Sequence, residues 1–205
     1  MLKLFTAKGT CAMASHAALE EAGAEYEIAR LDFGRDEQRA PDYLAVNPKG
    51  RVPALATDRG VLTETPAILA YIAQCYPAAQ LAPLDDPFDF ARMQAFNAYL
   101  CATVHVAHAH GRRGARWADD PAAWEAMKAK LPASMTGCFR LIEDEMLQGP
   151  WVLGAQYSVC DPYLYTVANW LKVDGVDIAD FPKTAEHSRR MAERPAIRAI
   201  HAAYD

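Results

Sequence analysis

The spacing of apolar residues changes character partway along the chain. Leu2, Leu4 and Thr6 alternate with Lys3 and Phe5, the period of a short strand. Ala12 to Ala22 is rich in Ala, Leu and Glu and runs into Gly23, which predicts a helix with a C-terminal glycine. Tyr26 to Leu31 returns to a strand pattern, and the polar stretch Asp36 to Leu44 predicts a short helix. Val52 to Ala56 and Gly60 to Leu62 read as two strands separated by the turn residues Asp58, Arg59 and Gly60. Thr65 to Cys75 follows as a helix, with Ile68, Leu69 and Ile72 at helical spacing. The order strand, helix, strand, helix, strand, strand, helix predicts an α/β layer with a mixed sheet.

Tyr76 to Phe88 breaks the pattern with Pro77, Pro83, Pro87, Asp85 and Asp86, the composition of a linker. Beyond it strand signals nearly vanish. Phe96, Tyr99, Leu100 and Val104 sit at helical spacing within Phe88 to Ala109. Pro121 to Leu147 supports a long helix with a break expected near Pro132, because an interior proline removes an N–H and clashes with the preceding turn. Cys160 to Val173, Lys183 to Arg194 and Ala196 to Ala203 complete a helical bundle. The expected fold class is α/β plus all-α, with one unit over 1–78, a linker over 79–87 and an all-helical unit over 88–205.

Composition narrows the function classes. The 205 residues are 52% hydrophobic and 23% charged, enough for a packed core, and the net charge of -5 argues against a nucleic-acid footprint. The one short basic run, Gly111 to Arg116, is expected to solvate a helix end. No apolar run approaches the ~18 residues of a membrane span, and Lys3 and Lys8 interrupt the start of the chain where a leader would be apolar. The cysteines Cys11, Cys75, Cys101, Cys138 and Cys160 are odd in number and scattered, which suits neither a disulfide framework nor a metal site. The reducing cytoplasm is the expected compartment.

Three places carry candidate chemistry. Cys11 stands where a helix begins, near the positive end of its macrodipole, a position that favours thiolate. In VNPKGRVPAL, Val46 to Leu55, Pro53 cannot donate to a sheet ladder and marks an edge or a bend. Either the proline is trans on an edge strand, the commoner form, or a cis Val52–Pro53 bond turns the chain and leaves the Val52 backbone free to pair with an extended peptide. In LTETPAILAYI, Leu62 to Ile72, Thr65 reads as a helix cap with Pro66 in the first turn. The Thr65 hydroxyl and the N–H groups behind it could hold a carboxylate, and Glu64 an ammonium. Ser158 to Asp161 has the spacing of a capping box and is assigned a structural role. Tyr163, Tyr165, Trp170 and Trp117 suit core or pocket.

Together these segments resemble the cytosolic glutathione transferases over essentially the whole chain. The resemblance implies a thioredoxin-like first half and a cis Pro53, with Val52 pairing its backbone to the cysteinyl part of glutathione. It implies that Glu64 and Thr65 hold the γ-glutamyl end, threonine replacing the usual serine. Phe5 and Thr6 stand where some classes carry a catalytic tyrosine, and Ser15 lies a turn too late for a catalytic serine. Cys11 matches the cysteine of the bacterial beta class, and His105 best matches its histidine facing the thiol; His108 and His110 face solvent or line the second-substrate site. Arg35 takes the place of a lysine that meets the glycine carboxylate in that class.

The implied activity is transfer of glutathione to a hydrophobic electrophile in detoxification, by a homodimer needing no metal. Two alternatives stand beside it. One is glutathione-dependent disulfide reduction through Cys11, with His105 as a nearby cation lowering its pKa. The other is a non-catalytic ligand-binding or interaction protein on the same fold.

Overall fold

The computed structural model describes residues 1–204; Asp205, the last residue of the expected helical unit, lies outside the described residues. The first half holds strand β1 (Leu2–Thr6), helix α1 (Ala12–Glu21), β2 (Tyr26–Arg30), α2 (Pro41–Val46), β3 (Ala54–Thr57), β4 (Gly60–Thr63) and α3 (Thr65–Cys75). Within the expected Asp36 to Leu44 helix, a 3-10 turn over Glu37–Arg39 precedes α2. The sheet order is β2-β1-β3-β4. β1 runs parallel to β2, with Leu4 beside Ile28, and antiparallel to β3, with Leu4 beside Leu55. The mixed sheet follows from connection length: α1 carries the chain across to a parallel partner, whereas β3 and β4 are joined by a tight turn that permits only antiparallel pairing.

The second half holds α4 (Pro87–Tyr99), α5 (His105–Arg112), α6 (Pro121–Leu141), α7 (Cys160–Ala168), α8 (Pro182–Ala192) and α9 (Pro195–Tyr204). α4 passes into α5 through one widened turn, Leu100–Val104, where the His105 N–H reaches back five residues to the Leu100 carbonyl. Such π-type turns rotate everything beyond them relative to a straight helix. The break expected near Pro132 does not occur. α6 runs through Pro132 with Leu131, Met135 and Phe139 buried on one face. α5 and α6 approach so closely that a Cβ on Gly111 would lie 2.5 Å from Leu131 Cδ2 and 2.7 Å from its Cβ.

α1 lies between the sheet and the helical half. Ala12, Ala14, Ala17 and Ala18 are buried with Leu19, and these small side chains let α3, α7 and α9 pack against it. One apolar cluster therefore runs from Leu4 and Cys11 through Leu69 to Tyr163, Phe139 and Phe181. At about 25 cal/mol per Å² of apolar surface removed from water, a core shared across both halves also fixes their relative placement.

Three buried polar networks tie distant elements together. Asp161, wholly buried, accepts from Ser158 N–H (2.7 Å), Val152 N–H (2.8 Å) and His187 Nε2 (3.0 Å), and Ser158 Oγ accepts from Cys160 N–H (3.2 Å). This is the expected box, extended to a second loop and to α8. Buried Glu143 accepts from the N–H groups of Lys183 (2.7 Å) and Thr184 (3.0 Å) at the start of α8, satisfying donors no helical carbonyl can reach.

A third network binds α9 to the first half. Tyr26 donates its hydroxyl hydrogen to Glu20, so His16 Nε2–H donates to the Tyr26 oxygen (2.9 Å). His16 Nδ1 is then the acceptor for Tyr204 O–H (3.3 Å), whose oxygen takes the Thr6 hydroxyl (2.7 Å). The network closes with a neutral imidazole, and burial lowers the His16 pKa from 6.5 to about 4, with the Glu20 charge opposing. The unfolded chain thus binds a proton that the folded chain refuses between those values. Stability is complete above pH 6.5 and falls as the pH drops toward 4, which calorimetric melting between pH 8 and pH 4 measures. In His16→Gln the melting temperature starts lower and declines less steeply with acid; an unchanged slope contradicts the assignment.

Candidate functional site

The loop from Ala7 to Cys11 brings the thiol to the cleft. Gly9 has φ +71, a conformation that glycine adopts without strain. Thr10 Oγ1–H donates to the Ala7 carbonyl (2.7 Å) and closes the turn. Cys11 occupies the cap position of α1 without making a side-chain cap bond, so its sulfur is left for other partners. The thiol donates to the Val52 carbonyl at 3.6 Å.

Val52 is positioned from behind. The Arg51 carbonyl accepts from Tyr43 O–H (2.6 Å) and from the Asn47 side-chain N–H (2.6 Å), which pins the approach to the bend. The Val52–Pro53 bond is cis, the form the family resemblance implies rather than the commoner trans form. Among the described residues the Val52 N–H has no hydrogen-bond partner.

Thr65, read from the sequence as a cap, is instead the first residue of α3; Glu64 holds the cap position with φ 73. A glutamate there carries backbone strain of about 1–3 kcal/mol, and its neighbours must hold it in place. Lys49 Nζ pairs with the Glu64 carboxylate and donates to Thr63 Oγ1 (2.6 Å). Glu64 and Thr65 thus both line the cleft at the start of α3.

From the other half, the widened turn before α5 delivers His105 and His108. His108 Nδ1–H donates to buried Asp174 at 2.7 Å, leaving Nε2 for the cleft. Its ring stacks on Trp170 with centroids 4.5 Å apart, and His105 lies against the same indole at 4.9 Å. Trp170 Nε1–H donates to the Gly9 carbonyl at 3.0 Å, joining the helical half to the Cys11 loop. His110 turns away, bonded through Nδ1 to the Val106 carbonyl (2.9 Å) and stacked on Trp117.

These groups line one cleft of about 570 Å³, within the range of small-molecule sites. Cys11, Val52, Pro53, Glu64, Thr65 and His105 all face it, as do Trp117, Tyr163 and Trp170. Arg35 does not: its side chain is exposed beside Glu37, and Arg39 and Arg51 line the cleft instead. Arg35 follows Gly34 in a 3-10 turn that directs it outward, a turn the sequence pattern did not predict. Tyr165 is buried away from the cleft and bonds His201 (2.8 Å).

The electrostatics reverse one expectation. Burial raises the Cys11 pKa to about 11, with the Thr65 hydroxyl and the Arg113 charge only partly opposing. Burial, then the charges of His108, Arg113, Arg116 and Arg51, lowers His105 to about 4. In the free protein at neutral pH Cys11 is a thiol and His105 is uncharged, so His105 is not the cation that would make a thiolate.

The chain is similar to known proteins over nearly its whole length. The description "Glutathione S-transferase, N-terminal domain" matches residues 1–74. The chain is 31% identical over 199 residues to the glutathione S-transferase GstA of Escherichia coli O157:H7, covering 96% of this chain and 95% of that one. The chain belongs to the glutathione S-transferase family. Among solved structures, a glutathione transferase homolog from Sulfitobacter with bound glutathione superposes with a TM-score of 0.96 at 45% identity, over 99% of this chain and 98% of that one. The beta-class glutathione S-transferase of Sphingomonas chungbukensis superposes with a TM-score of 0.86 at 32% identity over 98% of each chain. As a glutathione S-transferase, the chain has the mixed-sheet first half and helical second half of these relatives.

Trp170→Phe retains an aromatic plane but removes the Nε1–H that reaches Gly9. Loss of one buried hydrogen bond is worth about 1 kcal/mol, which for a chain of this size lowers the melting temperature by roughly 2–4 °C. An unaltered melting temperature contradicts a joining role for Trp170.

Proposed function

We propose that this glutathione S-transferase conjugates glutathione to small electrophiles, with residues 1–78 holding glutathione and 88–205 the electrophile. The Val52 N–H and carbonyl pair with the cysteinyl backbone. The α3 N-terminus and Thr65 take the γ-glutamyl carboxylate, and Glu64 shares its charge between Lys49 and the ammonium. Of Arg39 and Arg51, one meets the glycine carboxylate. The glutathione sulfur then lies beside Cys11: as the cysteinyl N–H takes over the Val52 carbonyl, the Cys11 S–H turns from that carbonyl to the glutathione sulfur and, with the neutral His105 ring, stabilises its thiolate. That thiolate attacks an electrophilic carbon: a C–S bond forms, the leaving group departs with its electron pair, and the thiol proton passes to solvent. Family membership is the support for a homodimer and for a cytoplasmic, detoxifying role.

The observation that favours conjugation over disulfide exchange is the buried, protonated Cys11. Exchange needs the Cys11 thiolate. With a pKa of about 11, that form is about one part in ten thousand at pH 7. A thiol that keeps its proton is a hydrogen-bond donor for another sulfur.

Turnover of 1-chloro-2,4-dinitrobenzene and intact mass after exposure to oxidised glutathione separate the readings. Cys11→Ala is expected to slow conjugation by about ten- to a hundredfold without abolishing it, the weight of one hydrogen bond to a charged group. Wild type is expected to gain no adduct at Cys11 at pH 7; peptide mapping is needed because Cys75 is exposed. A full adduct at Cys11, with turnover abolished in Cys11→Ala, supports the disulfide reductase. Absence of both glutathione binding and turnover supports the non-catalytic protein.

A further inference from the structure

The charge of the cleft does not suit the hydrophobic electrophile that the family resemblance implies. Arg39, Arg51, Arg113 and Arg116 all line the cleft, the first two from the first half of the chain. They are close enough that burial, with the charges of Arg113, Arg51 and Arg39, lowers the pKa of Arg116. The acidic residues lining the cleft are Asp36 and Glu64, and both are already engaged. Asp36 lies 3.4 Å from Arg39, and Glu64 pairs with Lys49. Among the described residues, Arg51, Arg113 and Arg116 have no carboxylate within salt-bridge distance.

Bound glutathione does not absorb this charge. It brings two carboxylates and one ammonium. In the arrangement proposed above one carboxylate goes to the α3 N-terminus, and the other to Arg39 or Arg51 in the first half. Arg113 and Arg116 are left, at the end of α5 and in the turn that follows, on the side where the electrophile would sit. Both side chains are exposed, as expected of a helix end, and both also line the cleft at its mouth; the Arg113 charge bears on the ionisation of Cys11 and His105. Arg112, their neighbour, lies outside the cleft lining. Trp117, half-exposed and with one face stacked on His110, lines the same cleft as the two arginines.

We propose that the electrophile of this enzyme is a flat, conjugated carboxylate, read by Arg113 and Arg116. A guanidinium presents a planar fork of donors that matches a carboxylate, and its charge is always present. A carboxylate held here keeps its ring against Trp117 and its electrophilic carbon toward the glutathione sulfur. The inference rests on the conjugation reading above and adds the class of its second substrate.

The test compares 4-chloro-3,5-dinitrobenzoate with the neutral 1-chloro-2,4-dinitrobenzene, each corrected for its spontaneous reaction with glutathione. In both, glutathione sulfur replaces chlorine: the C–S bond forms, the C–Cl bond breaks, and chloride leaves with the electron pair. The readout is the ratio of kcat/KM for the anionic over the neutral substrate, together with glutathione affinity by calorimetry. In Arg113→Gln/Arg116→Gln the ratio is expected to fall about tenfold or more through KM of the benzoate, with glutathione affinity kept. Arg116→Gln alone is expected to fall between the double variant and wild type. Arg112→Gln, outside the cleft, is expected to leave the ratio unchanged.

A ratio unaltered in the double variant overturns the proposal and returns these arginines to solvating a helix end. Loss of glutathione affinity with an unaltered ratio also overturns it, by assigning the arginines to glutathione. Failure of wild type to turn over either substrate overturns the conjugation reading itself, and is recognised because it precedes any substitution.

Discussion

The hydrogen bond from Trp170 Nε1–H to the Gly9 carbonyl joins two segments 161 residues apart at the point where the chemistry is placed. Its indole also carries the rings of His105 and His108. One side chain therefore sets the distance between the Cys11 loop and the histidines of α5. The apolar core beneath it is continuous across both halves, so the cleft walls are parts of one packed body. Small side chains on α1 make this possible: alanines at Ala14, Ala17 and Ala18 bring α7 and α9 close enough to share the core with the sheet.

The same burial that builds the cleft decides its protonation. Cys11 stands at a helix start, where dipole and free N–H groups favour a thiolate by up to about 1 kcal/mol at exposed sites. Enclosure by both halves acts in the opposite direction and is larger, raising Cys11 and lowering His105. Two neutral groups result, each able to donate a hydrogen bond without competing for the role of nucleophile. Charge is concentrated instead on the arginines around the rim.

Much of the fold was legible from local pattern. α3 spans Thr65–Cys75, the range its apolar spacing predicts, and the strand–helix order of the first half follows from short periodic runs bounded by glycine and proline. At Pro132 proline's local cost predicts a break, whereas Leu131, Met135 and Phe139 bury a face that keeps α6 continuous through it. The widened turn before His105 has no residue signature, since Leu100 to Val104 is an ordinary apolar helical run.

Within the site, the backbone corner at Val52, Pro53, Glu64 and Thr65 was legible because proline and a polar pair interrupt otherwise apolar segments. Partners distant in sequence were not. Nothing local links His108 to Asp174, 66 residues away, or distinguishes Arg35, away from the cleft, from Arg39 and Arg51, which line it. Nor does a residue type reveal that enclosure outweighs a helix dipole at Cys11. The direct measurement of that balance is the thiolate absorbance near 240 nm of the free enzyme, titrated with pH and taken as wild type minus Cys11→Ser. A difference signal that stays flat through pH 9 and rises only toward 11 is the predicted result. A thiolate step at or below pH 7 contradicts the account and makes Cys11 the reacting sulfur.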